Sequence, residues 1–266
     1  MNQSERRRFL IDALTRENPG AWDGPVPRDE RGQRLLLRGL FNIRPPRAME
    51  EDVLRVQDEY LQTQLAARGV TDAETLPFAE DRICIWQGDI TTLKCDAIVN
   101  AANSGLTGCY CPNHGCIDNA IHTFAGAQLR LACAELMKKQ GFPEPAGRAK
   151  ITPAFNLPCR FVLHTVGPIV RGRVTARDRS ELAACYRSCL ILAAENGLSS
   201  VAFCCISTGE FHFPNREAAE IAVRTVREFL KDETRVKRVI FYVFTDEDGA
   251  IYERLLGDRA PSRGAR

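Results

Sequence analysis

The sequence predicts an α/β fold, a sheet sandwiched between helices, preceded by an N-terminal helical extension. Two observations carry this. From Ile83 onward, short apolar runs alternate with longer amphipathic segments, the texture of strands joined by helices over a buried sheet. Before that point the chain shows only helical patterns, rich in arginine. A chain of 266 residues accommodates one large domain with an extension. We place the extension at 1–80, as a cap rather than a catalytic element, and the α/β domain at 81–260.

The elements follow in order. Ser4 caps a first helix that runs to about Asn18, where the breaker run NPGAWDGPVP stops it. A second helix spans about Arg31–Leu40 and ends before Pro45-Pro46. A third covers about Met49–Arg68, with Val53, Val56, Tyr60, Leu61 and Leu65 near helical spacing and Gly69 closing it. RICIWQG and CDAIVNAA then read as strands, and IDNAIHTFAGAQLRLACAELMKKQG as one long amphipathic helix ending at Gly141. AKITPAF and RFVLHTVG are strand-like, and RSELAACYRSCLILAAENG is a helix with a glycine stop. SSVAFCCIST is a buried strand, NREAAEIAVRTVREFLKD a helix, and RVKRVIFYVFT the last strand.

Composition narrows the function. A net charge of +2 gives no field suited to nucleic acid, and no 18-residue apolar run suggests a membrane span. The first residues, MNQSERRRFL, lack the apolar core of a secretory signal. Eleven cysteines, an odd number scattered through core-like strands, imply free thiols and a cytoplasmic setting.

Ligands on such sheets bind beyond the carboxyl ends of strands, so two loops stand out. The first, VNAANSGLTGCYCPNHGCIDNAIH, carries Asn100 and Asn103 at a strand end, then Gly108 and Gly115, then a helix start near Ile117–Asp118. The second, CISTGEFHFPN, offers Ser207, Thr208 and Gly209 before a helix that begins after Pro214. Small residues and an open helix N-terminus in both suit a diphosphate gripped from two sides, although glycine turns after strands are commonplace. Within the first loop, GCYCPNHGCID gathers three cysteines and a histidine. On spacing alone it is a metal site, a redox loop or a tight turn with sulfur in it.

QGDIT, DAIVNAANSGL, DNAIHTFAG, HTVGP and ISTGEFHFP, in this order, resemble the macrodomain family over about residues 83–256. That family binds ADP-ribose, and several branches hydrolyse it from proteins. Where the family usually has a glycine run leading to a Val-Asp pair, this chain has CYCPNHGC before Ile117-Asp118. This departure is similar to the zinc-dependent class, which also has a helical N-terminal extension; LFNIRPP and VQDEYLQTQLAARG match that too. The resemblance implies a mixed sheet and one Zn²⁺ per chain on Cys109, His114 and Cys116, with a closed four-ligand site that adds Cys111 as the alternative.

The resemblance also implies Asp89 as acceptor for the adenine amino group, beside the Ile90 backbone. The diphosphate would lie on the amides of Gly115, Cys116 and Ile117 and of Ser207, Thr208, Gly209, Glu210 and Phe211. Asn103 would contact the distal ribose, with Asp118 as the second catalytic residue. Bland readings stand beside these: Asp89 and Asn103 as turn residues, Asp118 as a helix-start carboxylate, His122 and His164 as satisfied core histidines. Phe211 and Phe213 line the ribose or simply pack, His212 stays open, and Cys204 and Cys205 read as core. The expected function is zinc-dependent removal of ADP-ribose from modified protein side chains, with ADP-ribose as product. The alternatives are a non-hydrolytic ADP-ribose reader with a structural zinc, or an O-acetyl-ADP-ribose deacetylase. The class resemblance implies, as partner, a lipoylated carrier protein modified by a sirtuin-type transferase.

Overall fold

The computed structural model describes residues 1–233 and 235–257; positions 258–260 of the expected domain lie outside the described residues. Helices α1 (Gln3–Glu17), α2 (Glu30–Ile43) and α3 (Glu51–Arg68) come first. Their apolar faces, including Leu10, Ile11, Leu37, Val56 and Leu61, form a cluster of their own. The cap of α1 is Asn2, not Ser4: Asn2 accepts from the Glu5 amide while Glu5 reaches back to the Asn2 amide, a reciprocal box that starts the helix earlier.

The strands are β1 (Thr71–Asp72), β2 (Ile83–Gln87), β3 (Leu93–Lys94), β4 (Ala97–Ala101), β5 (Ala149–Pro153), β6 (Phe161–Thr165), β7 (Ser200–Phe203) and β8 (Arg238–Val243). Interleaved with them are α4 (Ile117–Ala125), α5 (Ala127–Gln140), α6 (Ala176–Glu195), α7 (Asn215–Asp232) and α8 (Asp246–Gly257). β1 and β3 form a small parallel pair. The main sheet runs β2-β8-β7-β4-β6-β5, parallel throughout except for β5. It is therefore mixed, with its one antiparallel strand at an edge. β7 and β8 are buried at every position, which requires cover on both faces. Among the described residues, no helix is long and apolar enough to cross a membrane.

Two expectations about helices are corrected. The segment from Ile117 to Gly141 is two helices, broken at Gly126, whose φ of 95° only glycine adopts readily. The break is held from outside: the Ala127 amide donates to Gln57 Oε1 of α3 at 3.0 Å. A Cβ at Gly126 would sit 2.7 Å from Gln57 Nε2. The second correction is α8, which follows the strand read as last. Thr245 and Asp248 cap it, with the Asp248 amide donating to Thr245 Oγ1 and that hydroxyl to Asp248 Oδ2.

The topology positions the site. Five parallel strands end on one rim, so the loops after β2, β8, β7, β4 and β6 lie side by side. From β2 to β4 is three strand spacings, about 14 Å.

Candidate active site

A cleft of about 1120 Å³ opens on that rim, at the large end of small-molecule sites. Every residue expected to hold ADP-ribose or metal lines it: Asp89, Ile90, Asn103, Cys109, His114 to Asp118, and Ser207 to Phe211. β2 delivers Asp89 and Ile90 at one end, and β4 delivers Asn103 and the cysteine loop at the other. β7, adjacent to β4, delivers the second loop between them.

At the first end, Asp89 caps the 3₁₀ turn Ile90–Thr92, with Oδ1 accepting from the Thr91 amide at 2.9 Å and the Thr91 hydroxyl at 2.6 Å. Its Oδ2 accepts from Arg68 Nη1 of α3 at 2.7 Å. The Arg68 guanidinium itself lies 3.8 Å from the centre of the Phe124 ring. The turn-forming role is thus real, and Oδ2, which accepts from Arg68 alone, keeps a lone pair for a ligand donor. Phe244 of the β8 loop, 72% exposed, lines the cleft beside it.

In the middle, no intramolecular acceptor meets the amides of Gly115, Ile117, Gly209 or Glu210 among the described residues. Ser207, at φ 66°, is buried, and its hydroxyl has no partner. Gly167, at the end of β6, lets Ser207 take this position: a Cβ there would stand 2.0 Å from Ser207 Oγ and displace it. Open amides and an orphaned hydroxyl on facing loops are the donors an oxyanion chain requires. Phe211 lines the cleft, Phe213 is buried, and the His212 side chain is exposed away from it.

At the β4 end, the donor atoms of Cys109, His114 and Cys116 all lie within 4.8 Å of one another. Cys109 Sγ and His114 Nδ1 are 3.6 Å apart, and ordinary Zn–S and Zn–N lengths at tetrahedral angles give a donor–donor edge of about 3.6 Å. Cys111, exposed, stands outside the converging set and gives only its amide, 3.5 Å from Cys109 Sγ. Two thiolates and an imidazole fit Zn²⁺ in kind as well as spacing. Burial pushes the Cys116 thiol up to about 12, so a cation entering here displaces its proton. Glu210 Oε1 lies 3.4 Å from His114 Nε2, on the far side of the ring from Cys109. A carboxylate there fixes the imidazole's orientation.

Asp118, at the start of α4, is 5% exposed. Asn100 Nδ2 donates to its Oδ1 at 2.8 Å and Asn103 Nδ2 to its Oδ2 at 3.3 Å. Behind it His164 is a satisfied core histidine, contacting Thr152 Oγ1 at 2.9 Å and Asn100 at 3.3 Å. His122 is core but not satisfied: among the described residues neither ring nitrogen has a hydrogen-bond partner, and Nε2 is 3.5 Å from Asp118 Oδ1. Burial drives both histidines toward the neutral form. Cys204 and Cys205 are largely buried but border the cleft.

Burial raises the Asp118 carboxyl from 3.8 to about 6, against the pull of Asn100, Arg130 and Asn103. A carboxyl with a raised folded pKa holds its proton more tightly in the folded state. Its contribution is complete below the unfolded value and is lost as pH climbs through the folded one. Urea unfolding of zinc-free protein should therefore show stability falling from about pH 4 to above 6, by about 3 kcal/mol relative to Asp118→Asn. Parallel pH profiles for the two proteins would refute it.

With this geometry in view, the likenesses are specific. The Macro domain family model matches residues 99–222. A Treponema medium protein named protein-ADP-ribose hydrolase is 55% identical over 260 residues, covering 96% of this chain and 100% of that one. One of the same name from Staphylococcus aureus (strain MSSA476) is 53% identical over 250 residues, covering 93% and 94%. The Trypanosoma brucei macrodomain in complex with ADP-ribose matches with a TM-score of 0.64 at 31% identity, over 79% of this chain and 92% of that one. A mixed sheet with its ligand loops on one rim, and relatives matched end to end, lead to one assignment: the chain belongs to the macrodomain family.

Proposed function

We propose that the protein is a hydrolase that removes ADP-ribose from modified protein side chains, and that it works with one zinc ion on Cys109, His114 and Cys116. The observation that carries the reading is the meeting, in one cleft, of three converging soft donors with a buried carboxylate held by two asparagines. The hydrolase activity comes from the names of the Treponema and Staphylococcus relatives, and the ligand from the ADP-ribose complex of the Trypanosoma macrodomain.

Asp89 accepts from the adenine amino group while the Ile90 amide donates beside it, and Phe244 offers a face to the purine. The open amides of the two loops and the Ser207 hydroxyl hold the diphosphate. The distal ribose then lies against Asn103, with the bond to be broken near Asp118. A bound zinc supplies a Lewis acid at that end of the cleft. Asp118 orients the attacking water and takes its proton, its pKa lying near a working pH. A lipoylated carrier modified by a sirtuin-type transferase is the substrate the class resemblance implies; no residue of the cleft selects it by its own chemistry.

Zinc-loaded protein incubated with a carrier labelled with ADP-ribose on an acidic side chain should release the label. Binding of ADP-ribose without release from acidic, serine or arginine acceptors would make the protein a reader and sink the reading. Replacing Asp89 by alanine should weaken ADP-ribose binding about ten- to a hundredfold by calorimetry, with zinc content unchanged, the loss of one charge-assisted hydrogen bond. An unchanged affinity removes Asp89 from the adenine site.

A further inference from the structure

The loop that carries the three donors does little to hold itself. From Gly108 to Cys116 its own hydrogen bonds are a 3.3 Å contact from the His114 amide to the Cys111 carbonyl and two long contacts at Cys109 Sγ, one from the Cys111 amide and one with His114 Nδ1. Its remaining backbone contacts lead elsewhere, two of them to α2 and the others to α4 and Asn103. Arg38 Nη2 donates to the His114 carbonyl at 3.2 Å and to Asn119 Oδ1 at 2.8 Å. Asn119, fully buried, in turn donates from Nδ2 to the Cys111 carbonyl at 3.0 Å and from its amide to Cys116 Sγ at 3.4 Å. One turn further along α2, Asn42 Oδ1 accepts the Asn113 amide at 2.9 Å, and its Nδ2 donates to Thr123 Oγ1 at 2.9 Å.

Asn42 is 1% exposed, so leaving its polar atoms without partners would be costly. Asn113 takes a φ of 57°, a conformation that asparagine tolerates better than most side chains but that needs outside support. The tip also packs on the helix: a Cβ at Gly39 would meet Pro112 Cβ at 3.6 Å and Asn113 Nδ2 at 3.5 Å. The far end of α2 is fastened by Arg130 of α5, whose Nη1 donates to the carbonyls of Phe41, Asn42 and Arg44. The same guanidinium lies 4.3 Å from the centre of the Tyr110 ring, inside the donor loop.

Arg38 and Asn42 are four apart and share one face of α2. Leu36, Leu37 and Leu40 bury other faces with α1 and α3. We infer that α2 is a positioning element for the metal-ligand loop, acting through Arg38 and Asn42 on the backbone at 111, 113 and 114. Neither residue touches substrate or reacting atoms. Their work is to hold His114 and the two cysteines in the spacing that a tetrahedral ion needs, and outer partners of this kind change metal affinity by about ten- to a hundredfold. The inference rests on the zinc reading for its consequence but not for its geometry.

The test uses the full chain with Arg38→Ala, Asn42→Ala and Asn42→Asp, the last keeping the acceptor for Asn113. Backbone hydrogen exchange over residues 109–116 is read without zinc, and zinc release into a chromogenic chelator with it. Both should quicken about tenfold or more in the two alanine variants, and Asn42→Asp should recover most of the protection. kcat should fall more than ADP-ribose affinity, which rests also on the Asp89 turn and the 207–211 loop; a helix that merely stabilised the fold would not produce that split. Exchange and zinc release within twofold of wild type in Arg38→Ala and Asn42→Ala would overturn the inference. Should Asn42→Ala fail to fold, the half-buried Arg38 carries the test alone. A wild-type chain that takes up no zinc defeats the metal reading, and the exchange rates still decide whether α2 braces the loop.

Discussion

Removing the metal, by a chelator or by Cys116→Ser, should abolish release of ADP-ribose while the protein still folds and still binds ADP-ribose. The expectation rests on a separation of tasks along the cleft. In the proposed reading adenine and diphosphate rest on Asp89, open amides and the Ser207 hydroxyl, none of which needs a cation. Cys109, His114 and Cys116, the proposed metal donors, lie at the β4 end, beside Asp118. Cys116→Ser is a clean substitution because Cys116 is also the N-cap of α4, its sulfur accepting from the Asn119 amide. Serine caps a helix at least as well, whereas a neutral hydroxyl is a poor partner for zinc. Cys111→Ser is the control, and it should keep its zinc. Zinc loss in Cys111→Ser as complete as in Cys116→Ser would mean a closed four-ligand site, and release that survives full chelation would take the metal out of the chemistry.

Asp118→Ala, and the isosteric Asp118→Asn, should each lower kcat by about 10² to 10⁴ with zinc retained. The carboxylate cannot swing away, since Asn100 and Asn103 each hold one oxygen and His122 closes the space behind. A carboxyl that is buried, fixed and shifted to about 6 fits the proposed role of taking a proton near neutrality. Asp118→Asn keeps the shape and the asparagine contacts but cannot accept the proton, so it separates basicity from packing. Single-turnover rates within threefold of wild type would return Asp118 to an ordinary carboxylate at a helix N-terminus.

The sequence carried the strand–helix alternation because that depends on local apolar period, and it carried the cleft residues because they sit in two loops and in the QGDIT motif. One feature it missed depends on a partner distant in the chain. The break at Gly126 is set by Gln57, and no periodicity of residues 117–141 contains that information. Helix α8 had a local signal, Thr245 and Asp248 three apart before Ile251, Tyr252 and Leu255, which the apolar strand before it obscured. Phe244 reaches the cleft from the end of β8, a single position that no motif marks, and Gly167, though inside HTVGP, carried no sign of its closeness to Ser207. Arg68 and Arg38 sit in a segment that read as a cap, and only the fold brings them to Asp89 and His114.

The rim formed by the parallel strands has a consequence for how such a protein can change. The spacing between the loops is kept by main-chain bonds of the sheet, which are indifferent to the side chains the loops display. A segment such as CYCPNHGC, anchored at a strand end on one side and a helix start on the other, can be lengthened, shortened or rewritten without disturbing a single rung of that ladder. Ligand grip and reactivity are therefore separable inheritances: a lineage can exchange the chemistry at one station of the groove and leave recognition at the others untouched.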